Sequence, residues 1–205
     1  MLIVNAALSA LVNLLILAAI PFFGYFAYHK WRHKRGFREI ARRAGLQLGE
    51  PRYIGYSLAV TLVLLAALVI WSPPLEPLTR EGSAQRSFVG LGLSGTVVAM
   101  ALLYGVIKTG FCEELLFRGL IAGSLARRMP LVWANVVQSS IFLLPHLLLL
   151  FIMPEMWGIL PLIFVISLFK GWVRIKSGSI VGPWLIHGSI NVAMCLHVAI
   201  RTAGS

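Results

Sequence analysis

The sequence predicts an all-α fold, a polytopic transmembrane helix bundle of about six to seven membrane helices enclosing a polar intramembrane cavity. Three observations predict it. First, the 205 residues are 59% hydrophobic and 12% charged, with a mean hydropathy of +0.86, whereas a soluble domain averages about 25% charged and 45–50% apolar. Second, the apolar residues fall into long runs, and about 20 of them in a helix suffice to cross a bilayer. Third, charged and imidazole side chains inside those runs are sparse, and among them stand Glu113, Glu114, Arg118, His146 and His187.

The first span runs from about Leu2 to Tyr28. No basic residue precedes it, it is too long for a cleavable leader, and positive charge follows it. These features predict an anchor with its N-terminus outside, bent at Pro21. The second span covers Tyr53 to Trp71 and stops at Ser72-Pro73-Pro74, and a loop carrying Glu76, Arg80, Glu81 and Arg86 follows.

The next apolar stretch, Phe88 to Ala126, is too long for one straight crossing. It is either two helices broken near Lys108-Thr109-Gly110 or one crossing with a partly embedded element. A single crossing places Lys30–Arg52, Arg127-Arg128 and Lys170–Lys176 on one side of the membrane. That arrangement predicts about six crossings with both termini outside. The remaining spans are Leu131–Met153, Trp157–Trp172 and Ile180–Ile200. With no internal repeat or linker, residues 1–205 form a single integral membrane domain. Residues 1–87 supply anchor helices and a basic loop, and residues 88–200 form the core that carries the chemistry. The expected location is the cell membrane.

A net charge of +11 raises the question of nucleic acid, but eight of the eighteen Lys and Arg lie between Lys30 and Arg52, directly after the first span. A juxtamembrane basic cluster of this kind orients a protein and faces anionic lipids, so lipids rather than nucleic acid are the expected partner there. The two cysteines, Cys112 and Cys195, both lie in apolar runs and allow neither a disulfide framework nor a CxxC site. Cys112 adjoins the acidic pair described next and reads as a small buried hydrophobe rather than a nucleophile.

All seven acidic residues are Glu, and only Glu113 and Glu114 lie within an apolar run. An ionisable group at bilayer depth costs a few kcal/mol, so such groups face a bundle interior or a wet cavity and mark function by default. On a helix, Glu114 and Arg118 are i and i+4, the spacing at which Glu pairs best with a following cation. Glu113 is turned by about 100° and is not the natural partner of Arg118. A packing role for a Glu–Arg pair explains Glu114 and Arg118 but leaves Glu113 without a duty, and a carboxyl in such a place suits general base and then general acid work.

Phe142 and His146 share a helix face, with Pro145 removing a backbone donor beside them. His187 and Asn191 likewise stand one above the other, where Asn can orient a histidine or donate to a developing oxyanion. Each of these fragments also has a packing explanation, a satisfied core histidine or interhelical glue. His29 and His33 in the basic loop are expected to be solvated, and His197 to be interfacial. A Ser-His-Asp triad is excluded because the chain has no Asp, and Ser139 and Ser140 are expected to satisfy backbone carbonyls.

Taken together, EExxxR (Glu113, Glu114, Arg118), FxxxH (Phe142, His146) and HxxxN (His187, Asn191), each in its own apolar span, resemble the CAAX-protease and bacteriocin-processing family of intramembrane proteases. That family includes the Rce1-like type II CAAX prenyl endopeptidases and bacterial Abi proteins. The resemblance covers Phe88 to Ile200. It implies an intramembrane endopeptidase acting on a membrane-anchored protein or peptide, by C-terminal trimming, leader removal or cleavage of a sorting tail. It implies that Glu113 activates the attacking water, with Glu114 and Arg118 in support. It implies that His146 positions water or stabilises the intermediate, and that His187 and Asn191 orient and stabilise the oxyanion. The chain ends fourteen residues after Asn191, so a further helix of longer family members would be missing.

Zinc is possible, with His146, His187 and Glu113 as candidate ligands, but no HExxH is present and the spacing is not diagnostic. The expected mechanism uses no cofactor. The alternatives are a non-catalytic scaffold or bacteriocin-immunity protein of the same fold, and a haem carrier with His146 and His187 as axial ligands.

Overall fold

A computed structural model describes residues 1–151 and 154–204. Eight helices organise it: α1 (Leu2–His33), α2 (Phe37–Arg43), α3 (Pro51–Trp71), α4 (Leu75–Thr79), α5 (Gly95–Leu125), α6 (Leu131–Leu149), α7 (Leu160–Ser177) and α8 (Val181–Arg201). Short 3₁₀ turns lie at Arg86–Phe88 and Pro154–Ile159, and the described residues contain no strand. Six helices are long and apolar enough to cross a membrane.

Helix boundaries follow local chemistry. Pro51 opens α3 at a position where a missing N–H costs nothing, and the helix stops at Ser72, left-handed at φ 34° ahead of two prolines. Ser94 caps α5, its Oγ accepting from Val97 N at 3.3 Å. Gly178, at φ 71°, ends α7. In α1, the disturbance predicted at Pro21 takes the form of a π-helical stretch, Leu14–Ala19, immediately before it. Widening that turn accommodates the absent N–H and the ring's collision with the carbonyl four residues back.

Of the two readings of residues 88–126, the single crossing is the one found: Gly95–Leu125 is one continuous 31-residue helix, with no break at Lys108-Thr109-Gly110. Within it, Leu103–Phe111 and Glu114–Ala122 are π-helical, a geometry frequent at functional sites. The fourth span, expected to reach Met153, is helical to Leu149, and its residues 152 and 153 lie outside the described residues.

Lipid-facing surface is plain on α3, where Leu62, Val63, Val69 and Ile70 are exposed. The core gathers around α5 and α8. Phe88, Val97, Met100, Ala101, Val198 and Ala199 form one buried cluster, and Phe22, Ala44, Cys112, Leu115 and Ile180 form a second. Small residues let α5 and α8 approach closely: a Cβ on Gly105 would lie 2.7 Å from Val192 N, and one on Gly110 3.1 Å from Trp184 Cδ1. Trp184 Nε1 fixes the register by donating to Val106 O at 2.7 Å. Gly171 does the same for α6 and α7, since a Cβ there would collide with Asn135 Oδ1 and Gln138 Nε2. Across that seam Asn135 Nδ2 donates to Leu168 O at 2.8 Å and Gln138 Nε2 to Ser167 O at 3.3 Å.

Two expectations are corrected. His29 is not solvated: it is 8% exposed, because α1 continues past Tyr28 and α2 folds back beside it. Its ring packs edge-on against Tyr25 at 4.3 Å, and its Nδ1 accepts from Arg35 Nη1 at 2.9 Å. Lys170 and Arg174 are not a solvated flank that orients α7. They are 3% and 5% exposed, turned into the bundle where buried acceptors await them.

Candidate active site

Four helices contribute to one buried polar cluster: α5 (Thr109, Glu113, Glu114, Arg118), α6 (Phe142, His146), α7 (Ser167, Lys170) and α8 (His187, Asn191). The Gly seam between α5 and α8 sets the acidic pair opposite His187, and the Gly171 seam brings Lys170 across from α7.

Glu114 is the centre. Its side chain is 0% exposed and its Oε1 accepts from three helices: Lys170 Nζ at 2.6 Å, His187 Nδ1 at 2.7 Å and Arg118 Nη1 at 3.2 Å. Arg118 Nε lies 3.2 Å from Glu114 Oε2, close enough for charge attraction though the N–H is not aimed at the oxygen. Arg118 Nη2 donates onward to Ser167 Oγ at 2.8 Å. The i, i+4 pair predicted from sequence is therefore present, and it is one arm of a larger network.

Glu113 is different. Its side chain is 24% exposed, and among the described residues it has no hydrogen-bond partner; His187 Nε2 stands 3.8 Å from its Oε2. A polar gap of that size is one a single water molecule can bridge. Two neighbouring carboxylates thus occupy opposite environments, one locked and one available.

His187 Nδ1 faces a carboxylate, so it carries the proton and donates to Glu114, which leaves Nε2 aimed toward Glu113 with a lone pair in the neutral ring. His146 is fixed in the same manner by Phe142 O, 3.0 Å from its Nδ1, so its Nε2 is also an acceptor when neutral. The Phe142 ring is the surface on which these groups rest. Arg118 Cζ lies 3.9 Å and Lys170 Nζ 4.9 Å from its centroid, and the His146 and His187 rings are 4.9 and 6.3 Å away. Such cation–π contacts are worth up to about 2 kcal/mol when desolvated.

Asn191 does not orient His187, as was one expectation. Glu114 holds the histidine, while Asn191 Nδ2 donates to Thr109 Oγ1 at 2.7 Å. Thr109 in turn donates to the Tyr104 and Gly105 carbonyls at 3.0 and 3.4 Å, within the π-helical stretch of α5. One amide hydrogen of Asn191 remains for another acceptor.

Lys170, Ser167 and Thr109 escaped the sequence reading. A lysine inside an apolar run was signal enough for the first, but its nearness to other basic residues disguised it as a flank. Among the described residues no group of three or more His, Cys, Asp and Glu gathers in a metal-ligating arrangement. Glu114 is already engaged by two cations.

No curated protein and no solved structure shows significant similarity to the chain. Residues 94–193 match the family model for Rce1-like type II CAAX prenyl endopeptidases. The match begins at the Ser94 cap of α5 and ends within α8, spanning every residue of the polar cluster. Residues 94–193 of this multi-pass membrane protein are accordingly a domain of the Rce1-like type II CAAX prenyl endopeptidase family, a family of proteases.

Proposed function

We propose that this chain is a metal-independent intramembrane endopeptidase of the cell membrane, with Glu113 as its general base. The observation that carries the reading is the asymmetry of the acidic pair: Glu114 is spent on Arg118, Lys170 and His187, while Glu113 stands accessible beside His187 Nε2. Two cations, Arg118 and Lys170, face two carboxylates, so the cluster is neutral when Glu113 is ionised and carries one positive charge when Glu113 holds a proton. A group that alternates between these states can take a proton from water and return it to the leaving amine.

In the reaction, a water held between Glu113 and His187 Nε2 attacks the scissile carbonyl carbon and gives a proton to Glu113. The carbonyl π electrons move to oxygen, and the free amide hydrogen of Asn191 donates to that oxyanion. The water's second hydrogen is accepted by His187 Nε2, and His146, its proton directed to Phe142 O, accepts that hydrogen from the new hydroxyl once the tetrahedral intermediate has formed. On collapse of the tetrahedral intermediate, the C–N bond breaks and Glu113 returns its proton to the departing amine. The Glu114–Arg118–Lys170 set keeps His187 in the required tautomer and contributes position rather than proton transfer.

The substrate is a membrane-anchored protein or peptide, cleaved near its C-terminal side or at a sorting tail. The test is terminal-peptide proteomics on membranes from cells carrying wild type or Glu113→Gln. A small set of new termini that depends on Glu113 supports the reading and identifies the substrate. Identical terminal peptides in the two, with a wild-type phenotype surviving in the variant, would leave the chain a binding protein.

A further inference from the structure

Away from the acidic pair, four arginines gather where α2, α5 and α7 end. Arg42, Arg43, Arg127 and Arg174 line a cavity of about 260 Å³ together with Gln47, Gly123 and Gly178. Arg42 and Arg127 are exposed at its rim, and Arg174 is buried, 5% exposed.

Among the described residues, Arg43 alone of the four has a carboxylate within 4.0 Å. The Arg43 carbonyl accepts from Arg174 Nη2 at 2.8 Å and from Arg127 Nη1 at 3.4 Å. Arg127 Nη2 donates to Tyr25 Oη at 2.8 Å and Ser124 Oγ at 3.2 Å. All of these acceptors are neutral. The nearest acid, Glu39, is 4.0 Å from Arg43 Nη1 and is held more closely by Arg35 at 2.8 Å. Among the described residues neither Arg127 nor Arg174 has a carboxylate at ion-pair distance, and the Nε atoms of Arg43 and Arg174 are buried without any hydrogen-bond partner. The pKa of Arg127 lies below its ordinary value, because the surrounding protein withdraws part of its hydration even at the rim and Arg43, Arg35 and Arg128 repel it, although Tyr25 acts in the opposite sense.

The contrast with the acidic pair is informative. There the fold surrounds a buried charge with opposite charges; here it assembles like charges around an open volume and keeps that volume clear. A Cβ on Gly123 would come within 2.8 Å of Arg174 Nη2 and 3.1 Å of Arg43 O, so the bare backbone is what admits the guanidinium. Unpaired buried donors around a cavity call for an acceptor, and guanidinium forks are best matched by an oxyanion presenting several oxygens. A tetrahedral phosphate serves arginines arriving from three helices better than a planar carboxylate. The cavity also adjoins the basic segment Lys30–Arg52, the kind of inter-helix pocket that takes anionic headgroups.

We propose that this arginine-lined cavity is a binding site for a phosphate group, contributed by an anionic lipid headgroup or by free phosphate, which serves as the missing counter-ion and ties the ends of α2, α5 and α7 together. Thermal unfolding of the full chain in neutral detergent tests it, at fixed ionic strength. Phosphatidic acid and phosphatidylglycerol are compared with phosphatidylcholine, and sodium phosphate with sodium chloride. A ligand in hundredfold excess over its Kd is expected to raise the midpoint by about 5–10 °C. Arg127→Gln, at the exposed rim, should lose most of that shift, while Arg38→Gln, exposed on α2 outside the cavity, should keep it. A shift with the anionic lipids alone identifies a headgroup as the source, and a shift with sodium phosphate identifies the free ion. No shift from either source, or equal loss in Arg127→Gln and Arg38→Gln, overturns the proposal, whether or not the chain cleaves peptides.

Discussion

Changing Glu113 and Glu114 in turn to glutamine removes one negative charge from each site with little change of shape, and the two variants should fail in different ways. In Glu114→Gln, Arg118 and Lys170 lose the carboxylate they share at 3.2 and 2.6 Å in a fully buried setting. Removing one partner from a buried ion pair costs about 3–5 kcal/mol, since the remaining charge is left without compensation. For a chain of 205 residues, each kcal/mol shifts the midpoint by about 2–4 °C, so the fall should be roughly 6–20 °C. In Glu113→Gln the side chain is partly exposed and loses no hydrogen bond, so stability should stay within about 1 kcal/mol of wild type. Cleavage, however, loses its general base, a step worth about 10²–10⁴ in rate.

The assay pairs an unfolding midpoint from tryptophan fluorescence of detergent-purified protein with the appearance of new termini in membranes. Glu113→Gln should keep the midpoint and lose the termini, whereas Glu114→Gln should lower the midpoint first. If Glu113→Gln melts as early as Glu114→Gln, both acids are structural and the assignment of the base is wrong. A wild-type midpoint in Glu114→Gln would mean that the buried cations find other partners and that the network does not set the position of His187.

Three further substitutions probe the supports of the site. Phe142→Leu removes the ring beneath Arg118 and Lys170 and should cost about 2 kcal/mol in unfolding experiments, with a tenfold or larger loss of cleavage (about 1.4 kcal/mol per decade) as both histidines lose their backing. Gly171→Ala forces a methyl against Asn135 and Gln138 and should destabilise by about 1–3 kcal/mol; an unchanged midpoint would mean that the α6–α7 seam has slack. Thr109→Val removes the acceptor of Asn191 at a cost of about 1 kcal/mol. It should slow cleavage without abolishing it, and an unaltered rate would show that Thr109 does not set the Asn191 amide.

What could be read in the chain beforehand was what is local. Glu114 and Arg118 meet because four residues make about one helical turn, and His146 bonds Phe142 O for the same reason. The contacts that define the site join residues far apart: Lys170 to Glu114 across 56 positions and His187 to Glu114 across 73. No periodicity specifies such pairings; they depend on where glycines allow helices to approach. Lys170 was misplaced because rules for flanking charge count basic residues near a helix end without regard to the face they occupy. His29 was misplaced by treating a basic segment as a loop, when α1 runs through it and α2 packs back upon it. The length of the apolar stretch 88–126 is plain in the sequence, but the π-helical pitch of Leu103–Phe111 and Glu114–Ala122 leaves no mark in hydropathy.

The adjacency of the two glutamates has a geometric logic. Consecutive residues on a helix diverge by about 100°, so one carboxylate can point into the packed interior while its neighbour stays partly exposed. Had the acids been four residues apart they would share a face, and Arg118 and Lys170 could bind both, leaving no free base. Adjacency also couples them, because the charges that lock Glu114 lie near enough to balance Glu113 when it is ionised. Their connection runs through His187, whose Nδ1 belongs to the locked acid and whose Nε2 faces the free one. One acid therefore sets the tautomer of the imidazole whose other nitrogen faces its neighbour, which is the geometry that the role proposed for Glu113 requires.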